Sequence, residues 1–184
     1  MDTLIVNLYG GPGTGKSRMA AGIFSKLKFK NINCELVPEF AKDLVWEKRH
    51  DALYNQFYVT AKQYHRIHRL LGNVDVIITD SPVLLGLAYS GDFYLGELIK
   101  SLYAKMKTYD VFLKRVNPYN PAGRYQSEGG ATELDPVIKN ILQRDFSEYS
   151  EKKPFKEYDE FDASEESIIP IVNRIVELVE SIED

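Results

Sequence analysis

Short apolar runs alternate along the chain with longer amphipathic stretches. These runs predict five strands, at residues 3–9, 34–37, 74–79, 111–113 and 158–161. The run at 74–79 is continuously apolar, which is typical of a strand that helices cover on both faces. We therefore expect it to lie near the centre of a sheet, and the segment 158–161 to lie at an edge.

Apolar residues at helical spacing mark the stretches between these runs. Met19, Ile23 and Leu27, for example, recur at four-residue steps. The pattern predicts helices over residues 17–27, 40–71, 84–89, 94–106 and 134–149, and a last helix that ends near residue 182. Pro170 must lie in the first turn of that last helix or distort it.

The predicted strands alternate with helices, and no two strands are joined by a tight hairpin turn. This order favours an α/β fold of three layers, in which a five-stranded, mainly parallel sheet carries helices on both faces. We find no internal repeat, so we expect a single domain over residues 1–184. Residues 117–130 are rich in proline and glycine and predict a long loop, of the kind that is usually functional or mobile.

Composition narrows the class of protein. Of the 184 residues, 44% are hydrophobic and 27% are charged, as in ordinary soluble globular proteins. The single cysteine, Cys34, excludes an internal disulfide and fits a small core residue in a reducing compartment. Three histidines without zinc-site spacing provide no metal motif. No apolar run approaches the roughly 18 residues that span a bilayer, so we expect a cytoplasmic protein without a membrane partner.

The net charge of −4 conceals an asymmetry. Residues 1–144 include 19 basic and 14 acidic residues, a net charge of +5, whereas residues 145–184 include 4 basic and 13 acidic residues, a net charge of −9. The acidic total argues against a protein that coats nucleic acid. It leaves open a DNA substrate that meets the basic part of the chain.

A phosphate-binding motif follows the first predicted strand. Residues 10–17, GGPGTGKS, match the pattern G-x-x-x-x-G-K-[ST] between a strand and a helix, which is where the mechanism requires it. Backbone N–H groups and the helix N-terminus can surround phosphates there, the Lys16 ammonium can reach the β and γ phosphates, and the Ser17 hydroxyl can bind Mg²⁺. The predicted ATP-binding residues are Gly11, Gly13, Thr14, Gly15, Lys16 and Ser17.

Residues outside this motif must decide what happens to the γ-phosphate. Asp80 ends the third predicted strand, but Ser81 and Pro82 follow it rather than a glutamate that could activate water. No Asn-Lys-x-Asp motif for guanine occurs. These features favour transfer of the phosphoryl group to a bound acceptor. The alternative is an ATPase or a nucleotide-dependent switch that acts through a protein partner.

Two carboxylates are candidates for the acceptor side. Glu39 follows the second strand and Asp80 follows the third, so both belong to the carboxyl edge of a parallel sheet, where ligands bind. One can deprotonate an acceptor hydroxyl while the other holds Mg²⁺ through water. The sequence leaves the two roles unassigned, and the alternatives are a surface glutamate and a helix-capping aspartate.

Basic residues flank or occupy the proline- and glycine-rich loop, namely Lys114, Arg115, Arg124 and Arg144. We expect a lid over about residues 115–132, in which Arg115 and Arg124 neutralise charge on the transferring phosphate and exclude water. The alternative is a solvated basic loop.

Aromatic and basic residues between the second and third strands are candidates for the wall of an acceptor pocket. They are Trp46, Tyr54, Phe57 and Tyr58, with Lys42, Lys48 and Arg49 nearby. Stacking on a base is one role for these rings, but Leu53, Phe57 and Ala61 are spaced as a core stripe, which favours packing. We expect His65 and His68 to pack or to face solvent.

Together, these elements resemble the P-loop small-molecule kinases. The resemblance rests on residues 10–17, on VPEFAK at 37–42, on ITDSP at 78–82 and on the arginine-bearing lid. The Pro-Glu-x-Ala-Lys element is similar to that of nicotinamide riboside kinase-like ATPases and of small phage-encoded nucleotide kinases. One phage branch of this group is thought to phosphorylate the 5-hydroxymethyl group of modified pyrimidines in DNA.

The resemblance implies a parallel five-stranded core, ATP and Mg²⁺ as cofactors, and transfer of the γ-phosphate to a hydroxyl or a phosphate. It also implies Asp80 or Glu39 as the acceptor-side base, and Arg115 and Arg124 as lid residues. No paired-arginine element follows Asp80. The expected acceptor is therefore a neutral hydroxyl of a nucleoside-like molecule, either free or within DNA.

Overall fold

A computed structural model describes residues 3–116, 128–149 and 158–183. The strands are β1 (Leu4–Tyr9), β2 (Cys34–Val37), β3 (Val76–Thr79), β4 (Thr108–Lys114) and β5 (Asp159–Asp162). They form one sheet in the order β2-β3-β1-β4-β5, and every neighbouring pair is parallel. The predicted α/β fold with a five-stranded parallel sheet is thus confirmed.

Helices cover both faces of the sheet. They are α1 (Lys16–Phe29), α2 (Phe40–Trp46), α3 (His50–Tyr54), α4 (Gln56–His68), α5 (Phe93–Ala104), α6 (Glu128–Leu142) and α7 (Ile168–Glu183). Short 3-10 turns lie at Val83–Ala88, Ser147–Tyr149 and Glu165–Ser167. In the described ranges, no helix combines the length and the apolar character that crossing a membrane would need.

Side chains of β1 alternate between two hydrophobic cores. Val6 packs with Ile23 of α1 and Ile171 of α7 on one face, while Ile5 packs with Ile99 of α5 on the other. The middle strand is therefore β1, and β3 lies directly beside it. Since both strands are buried along their whole length, the loops that leave their carboxyl ends start from rigid positions.

The prediction of one helix over residues 40–71 is wrong, because the chain forms three helices there. It turns away after α2, where Lys48 has a φ of 59° in the left-handed region. Asn55 then caps α4, and its side-chain oxygen accepts a hydrogen bond from the Tyr58 N–H at 3.1 Å. Such a cap satisfies an N–H that a helix start leaves unpaired, so α4 begins independently of α3.

The buried face of α4 differs from the predicted stripe in the first half of the helix, and Ile67 of that stripe is buried as predicted. The buried residues are Thr60, Gln63 and Ile67. Phe57 and Ala61 of the predicted core stripe are exposed instead. A polar residue, Gln63, therefore occupies a core position beside the sheet.

Two further helices differ from their predicted bounds. The helix expected over residues 134–149 begins earlier, at Glu128, and ends at Leu142. It stops before Asp145, whose carboxylate accepts hydrogen bonds from the N–H and hydroxyl of Ser147. The helix expected over residues 84–89 is a 3-10 turn after Pro82.

Pro170 does lie in the first turn of α7, where a missing N–H costs little.

The edge strand β5 is rich in acidic residues, and each is tied to a neighbouring element. The Tyr109 hydroxyl donates to Asp159 at 2.6 Å, Lys139 of α6 lies 2.7 Å from Glu160, and Lys114 lies 3.1 Å from Asp162. The acidic end of the sequence is therefore joined here to the basic body.

The carboxylate of Asp110, a residue of β4, is buried. The Asn7 side-chain amide donates to one of its oxygens at 2.8 Å. The hydroxyls of Thr108, at 3.3 Å, and Tyr103 both donate to the other oxygen. Burial raises the pKa of Tyr103, and the neighbouring Asp110 carboxylate raises it further. The phenol therefore stays protonated and remains a hydrogen-bond donor.

Replacing Tyr103 with phenylalanine should lower the free energy of unfolding by about 1.5–3 kcal/mol, the range for a hydrogen bond to a charged group. Urea unfolding of Tyr103→Phe would measure the loss. Tyr94→Phe on the same helix is the matched control, because Tyr94 is 78% exposed and should tolerate the change. Equal stability of the two variants would contradict the role of this bond.

Candidate active site

The phosphate-binding loop connects the carboxyl end of β1 to α1. Its backbone has positive φ at Gly10, Gly13 and Gly15, at 139°, 83° and 105°. A Cβ at Gly10 would lie 3.0 Å from the Leu113 carbonyl oxygen, so both backbone conformation and space require glycine there. The Thr14 hydroxyl donates to the Gly11 carbonyl at 2.7 Å and closes the loop on itself. These contacts form a tight turn at the positive end of the α1 dipole.

Lys16, the first residue of α1, folds back along this loop. Its ammonium donates to the carbonyl oxygens of Gly10 at 2.7 Å and Gly11 at 3.1 Å. Burial lowers the pKa of Lys16, whereas the carboxylates of Glu39, Asp80 and Asp135 oppose that change. Acidic groups from three separate segments of the chain therefore act on one ammonium.

Both candidate carboxylates lie at the carboxyl edge of the sheet, near the loop. Glu39 precedes the first turn of α2, and Asp80 directly follows β3. Asp80 is only 4% exposed, and its Oδ1 has no hydrogen-bond partner among the described residues. The Ser81 N–H donates to the Thr79 hydroxyl at 3.1 Å, which turns the chain immediately after Asp80. The two acidic side chains that the sequence singled out are therefore brought towards one lysine.

Asp135 of α6 is a further residue at the loop, and the sequence analysis missed it. Its carboxylate accepts a hydrogen bond from the Gly11 N–H at 2.6 Å and lies 3.8 Å from the Arg115 guanidinium. Arg115 in turn donates to the Pro12 carbonyl at 2.9 Å. Asp135 and Gly11 are 124 positions apart, so only the docking of α6 brings them together.

Asp135→Ala should lower the free energy of unfolding by about 1.5 kcal/mol, because it removes a charge-assisted bond to the loop and the ionic partner of Arg115. Urea unfolding would measure this loss. The control is Glu133→Ala, which removes an exposed acidic side chain from the same helix. If both variants lose the same stability, Asp135 does not hold the loop.

A pocket of about 470 Å³ adjoins the loop. Lys16 and Ser17 line one end of it, and Glu39 lies along its wall. The far end lies between α2, α3, α4 and the 3-10 turn, and its apolar residues are Val45, Leu53, Val59, Val83 and Leu85. Thr60 and Gln63 add polar groups there. The pocket has the mostly apolar walls and few polar groups that are typical of small-molecule sites.

The family of the chain follows from a match over most of its length. Residues 5–151 match the AAA_28 family model, which is described as an AAA domain. The chain belongs to this AAA domain family. It is therefore a P-loop protein of the nucleoside triphosphatase and kinase superfamily, as the motif at residues 10–17 predicts. The narrower resemblance to nicotinamide riboside kinase-like and phage kinases stays a prediction.

Two solved structures are similar to this AAA domain at low sequence identity. "Crystal structure of APE1195" is 18% identical, with a TM-score of 0.48, and the match covers 100% of this chain and 98% of that one. The APS kinase CysC of Mycobacterium tuberculosis is 17% identical, with a TM-score of 0.46, and the match covers 98% and 99%. No curated protein matches the chain.

The predicted basic residues of this AAA domain fall in different places. Arg115 lies at the phosphate-binding loop, where its Nε and Nη2 have no hydrogen-bond partner among the described residues. Lys114 points to β5 instead, where it pairs with Asp162. Arg144 is exposed beyond the end of α6. Arg124 and the central part of the predicted lid lie outside the described residues.

The aromatic residues between β2 and β3 divide into two groups. Tyr58 packs edge-on against Phe40, with the ring centroids 5.5 Å apart. Trp46, Tyr54 and Phe57 are 65%, 65% and 50% exposed, and Tyr54 also lines the pocket. The packing role that the sequence favoured for Phe57 is therefore wrong, because its helix starts in a different phase. Stacking of a base on Tyr54 stays a prediction.

The donor groups at the loop fit ATP and Mg²⁺. Positive φ values at Gly13 and Gly15 turn the loop at the start of α1, and the Lys16 ammonium lies against the same loop, as phosphate binding requires. For the metal, the exposed Ser17 hydroxyl lies in the first turn of α1, and Asp80 has a carboxylate oxygen without a hydrogen-bond partner in the described part of the chain. Both are the hard oxygen ligands that Mg²⁺ prefers. These residues are the expected magnesium site.

Proposed function

We propose that the protein is a kinase that transfers the γ-phosphoryl group of ATP to a hydroxyl of a nucleoside-like acceptor. The observation that carries this proposal is the pocket itself. One continuous space connects Lys16 and Ser17 of the phosphate-binding loop with Glu39 and with an apolar chamber that can hold a second molecule. A hydrolase needs only a water molecule at that position.

At the phosphate end, the chain supplies binding and charge. The loop N–H groups and the α1 dipole hold the β and γ phosphates, and the Lys16 ammonium moves from its carbonyl partners to the γ-phosphate. The Arg115 guanidinium donates to the Pro12 carbonyl of the loop and has two further nitrogens without a hydrogen-bond partner among the described residues, so it can neutralise charge that develops during transfer. Ser17 and Asp80 would hold Mg²⁺, which when bound would supply further positive charge to the phosphates.

At the acceptor end, a carboxylate removes the hydroxyl proton. As the acceptor oxygen forms its bond to the γ-phosphorus, the bond from that phosphorus to the leaving oxygen of ADP breaks, and the proton passes to Glu39 or Asp80. The other carboxylate would hold Mg²⁺ through water. The apolar wall excludes competing water from the reacting groups.

The charges that line the pocket favour a neutral acceptor. Among the described lining residues, the cations are Lys16, Arg18 and Lys42. Lys16 belongs to the phosphate-binding loop, and Arg18 donates to the Ala163 carbonyl at 2.5 Å. Of the cations that the structure describes along the pocket, only the exposed Lys42 is left for the acceptor side. A phosphate group on the acceptor would be better matched by arginines in bidentate geometry.

The acceptor hydroxyl is either on a free nucleoside or nucleotide or on a 5-hydroxymethylpyrimidine base within DNA. The segments that wall the pocket also carry exposed aromatic and basic side chains, namely Trp46, Phe57, Lys48 and Arg49. Side chains of these types suit contact with a strand of DNA. DNA binding would fall steeply with salt, because each neutralised phosphate releases counterions. A free nucleoside would bind with little dependence on salt.

The test is transfer of labelled γ-phosphate to a panel of nucleosides, mononucleotides and 5-hydroxymethylpyrimidine DNA, each at low and at high salt. The kinase proposal is supported if the wild type labels a member of the panel and a variant of the phosphate-binding loop does not. Rapid hydrolysis of ATP without any labelled acceptor overturns it. That result would favour the alternative of an ATPase or switch with a protein partner, which membership in an AAA domain family also accommodates.

A further inference from the structure

Gln63 contacts both chain segments that carry the candidate carboxylates. It lies on the buried face of α4, where it is only 4% exposed. Its side-chain oxygen accepts a hydrogen bond from the Phe40 N–H at 2.9 Å. Its side-chain nitrogen lies 3.5 Å from the Pro38 carbonyl oxygen and 3.4 Å from the Thr79 hydroxyl. Gln63 thus reaches the residues on either side of Glu39 and the residue before Asp80.

The contact with Phe40 meets a need of the local backbone. Phe40 is the first residue of α2, so its N–H has no partner within the helix. Glu39 occupies the capping position but makes no side-chain capping hydrogen bond. Gln63 supplies an acceptor for this N–H, and the Glu39 carboxylate lines the pocket.

The contact with Thr79 organises the second segment. The Thr79 hydroxyl receives the Ser81 N–H at 3.1 Å, on the far side of Asp80. The Gln63 amide lies against the same hydroxyl. The side chain at position 63 must accept a hydrogen bond from the Phe40 N–H and donate one to the Thr79 hydroxyl. An amide does both, whereas a carboxylate or an apolar group does not.

We propose that Gln63 is a positioning residue that fixes the backbone at Glu39 and Asp80, beyond the point where the ladder between β2 and β3 ends at Val37 and Thr79. Its consequence for catalysis rests on the proposed kinase function, because the two carboxylates must act on one acceptor and one metal. The bridge itself is a property of the folded chain and can be tested without any substrate.

The first experiment measures amide hydrogen exchange at Phe40 in the wild type, Gln63→Leu and Gln63→Glu. Gln63→Leu removes the acceptor, and the Phe40 amide should exchange about tenfold faster, the effect of losing about 1.4 kcal/mol of local protection. Gln63→Glu keeps an acceptor oxygen and should retain most of the protection. His65→Gln, on the exposed face of the same helix, should exchange at the wild-type rate. Equal exchange in all four proteins overturns the bridge.

The second experiment measures kcat and KM for the acceptor that the wild type labels. Gln63→Glu should lower kcat by about 10- to 100-fold, the cost of a misplaced reacting group, with the KM for ATP within about twofold of wild type. Thr79→Val should lower kcat in the same way, and Thr79→Ser should recover most of it because the hydroxyl returns. A rise in acceptor KM alone, or an unchanged kcat, overturns the positioning role, since Gln63 would then contact the acceptor or only support the fold.

The two proposals fail in distinguishable ways. If the wild type labels no acceptor, the kinase function fails, and hydrogen exchange at Phe40 still decides whether the bridge exists. If the wild type transfers phosphate and Gln63→Glu is fully active, the kinase function stands and the positioning role is overturned.

Discussion

Lys16→Met should reduce phosphoryl transfer by about 1,000-fold, the cost of removing one preorganised positive group from a transition state. The Lys16 ammonium is the group of the phosphate-binding loop that can follow the γ-phosphate as charge builds up during transfer. Single-turnover transfer of labelled phosphate measures the loss. Methionine keeps a similar length and volume, so the change isolates the charge.

The same variant should fold at least as well as the wild type. Because burial lowers the folded-state pKa of Lys16 below its ordinary value, the protonated side chain costs free energy of folding at neutral pH. That cost disappears only as the pH rises towards the ordinary pKa of lysine. Removing the charge should therefore leave the melting temperature of the protein unchanged or raise it.

Lys26→Met is the matched control for this prediction. Lys26 is exposed on the same helix, so its replacement should change neither transfer nor stability. A Lys16→Met protein that retains a tenth of wild-type transfer would rule out the role of Lys16. A protein that unfolds in buffer would show that the lysine supports the fold.

Replacing Asp80 with asparagine should lower kcat by about 100- to 10,000-fold, the contribution of a positioned acid or base. Asparagine fits the same space, and Asp80 Oδ1 has no partner to lose among the described residues. The comparison with Glu39→Gln assigns the two roles. The variant that loses the acidic limb of the pH–rate profile carries the base, and the variant that higher Mg²⁺ partly rescues carries the metal.

Asp75→Asn provides the control for this pair of variants. Asp75 immediately precedes β3, so it lies at the opposite edge of the sheet from Asp80, and its Oδ1 is likewise buried without a partner within the described ranges. Its replacement should leave transfer at the wild-type rate. Loss of transfer in Asp75→Asn as large as in Asp80→Asn would mean that the effect comes from the fold rather than from the site.

The parts of the site that are local in sequence could be predicted. The loop at residues 10–17 places glycines, lysine and serine within one turn, and the carboxylates of Glu39 and Asp80 follow short apolar strands directly. Because parallel strands end at one edge, the strand pattern is enough to bring both acids towards Lys16.

Other parts of the site could not be predicted from the sequence. They depend on breaks in helices or on packing between elements that are far apart in the chain. Lys48 adopts a positive φ that its residue type does not favour, and Asn55 is a single capping residue inside an otherwise helical pattern. After this break α4 buries Thr60 and Gln63 where Phe57 and Ala61 were expected, while Ile67 of the expected stripe stays in the core. Asp135 reaches the loop only through the packing of α6, and no spacing in the sequence reveals that contact.

The acidic strand β5 also determines where the sheet ends. An edge strand offers unpaired N–H and C=O groups to another chain, and proteins often block such pairing with charge. If a second copy aligned its own β5 here, Asp159, Glu160 and Asp162 would meet the same three residues at strand spacing, and like charges would repel. The side chains that join this strand to its own neighbours thus protect the molecule against edge-to-edge aggregation.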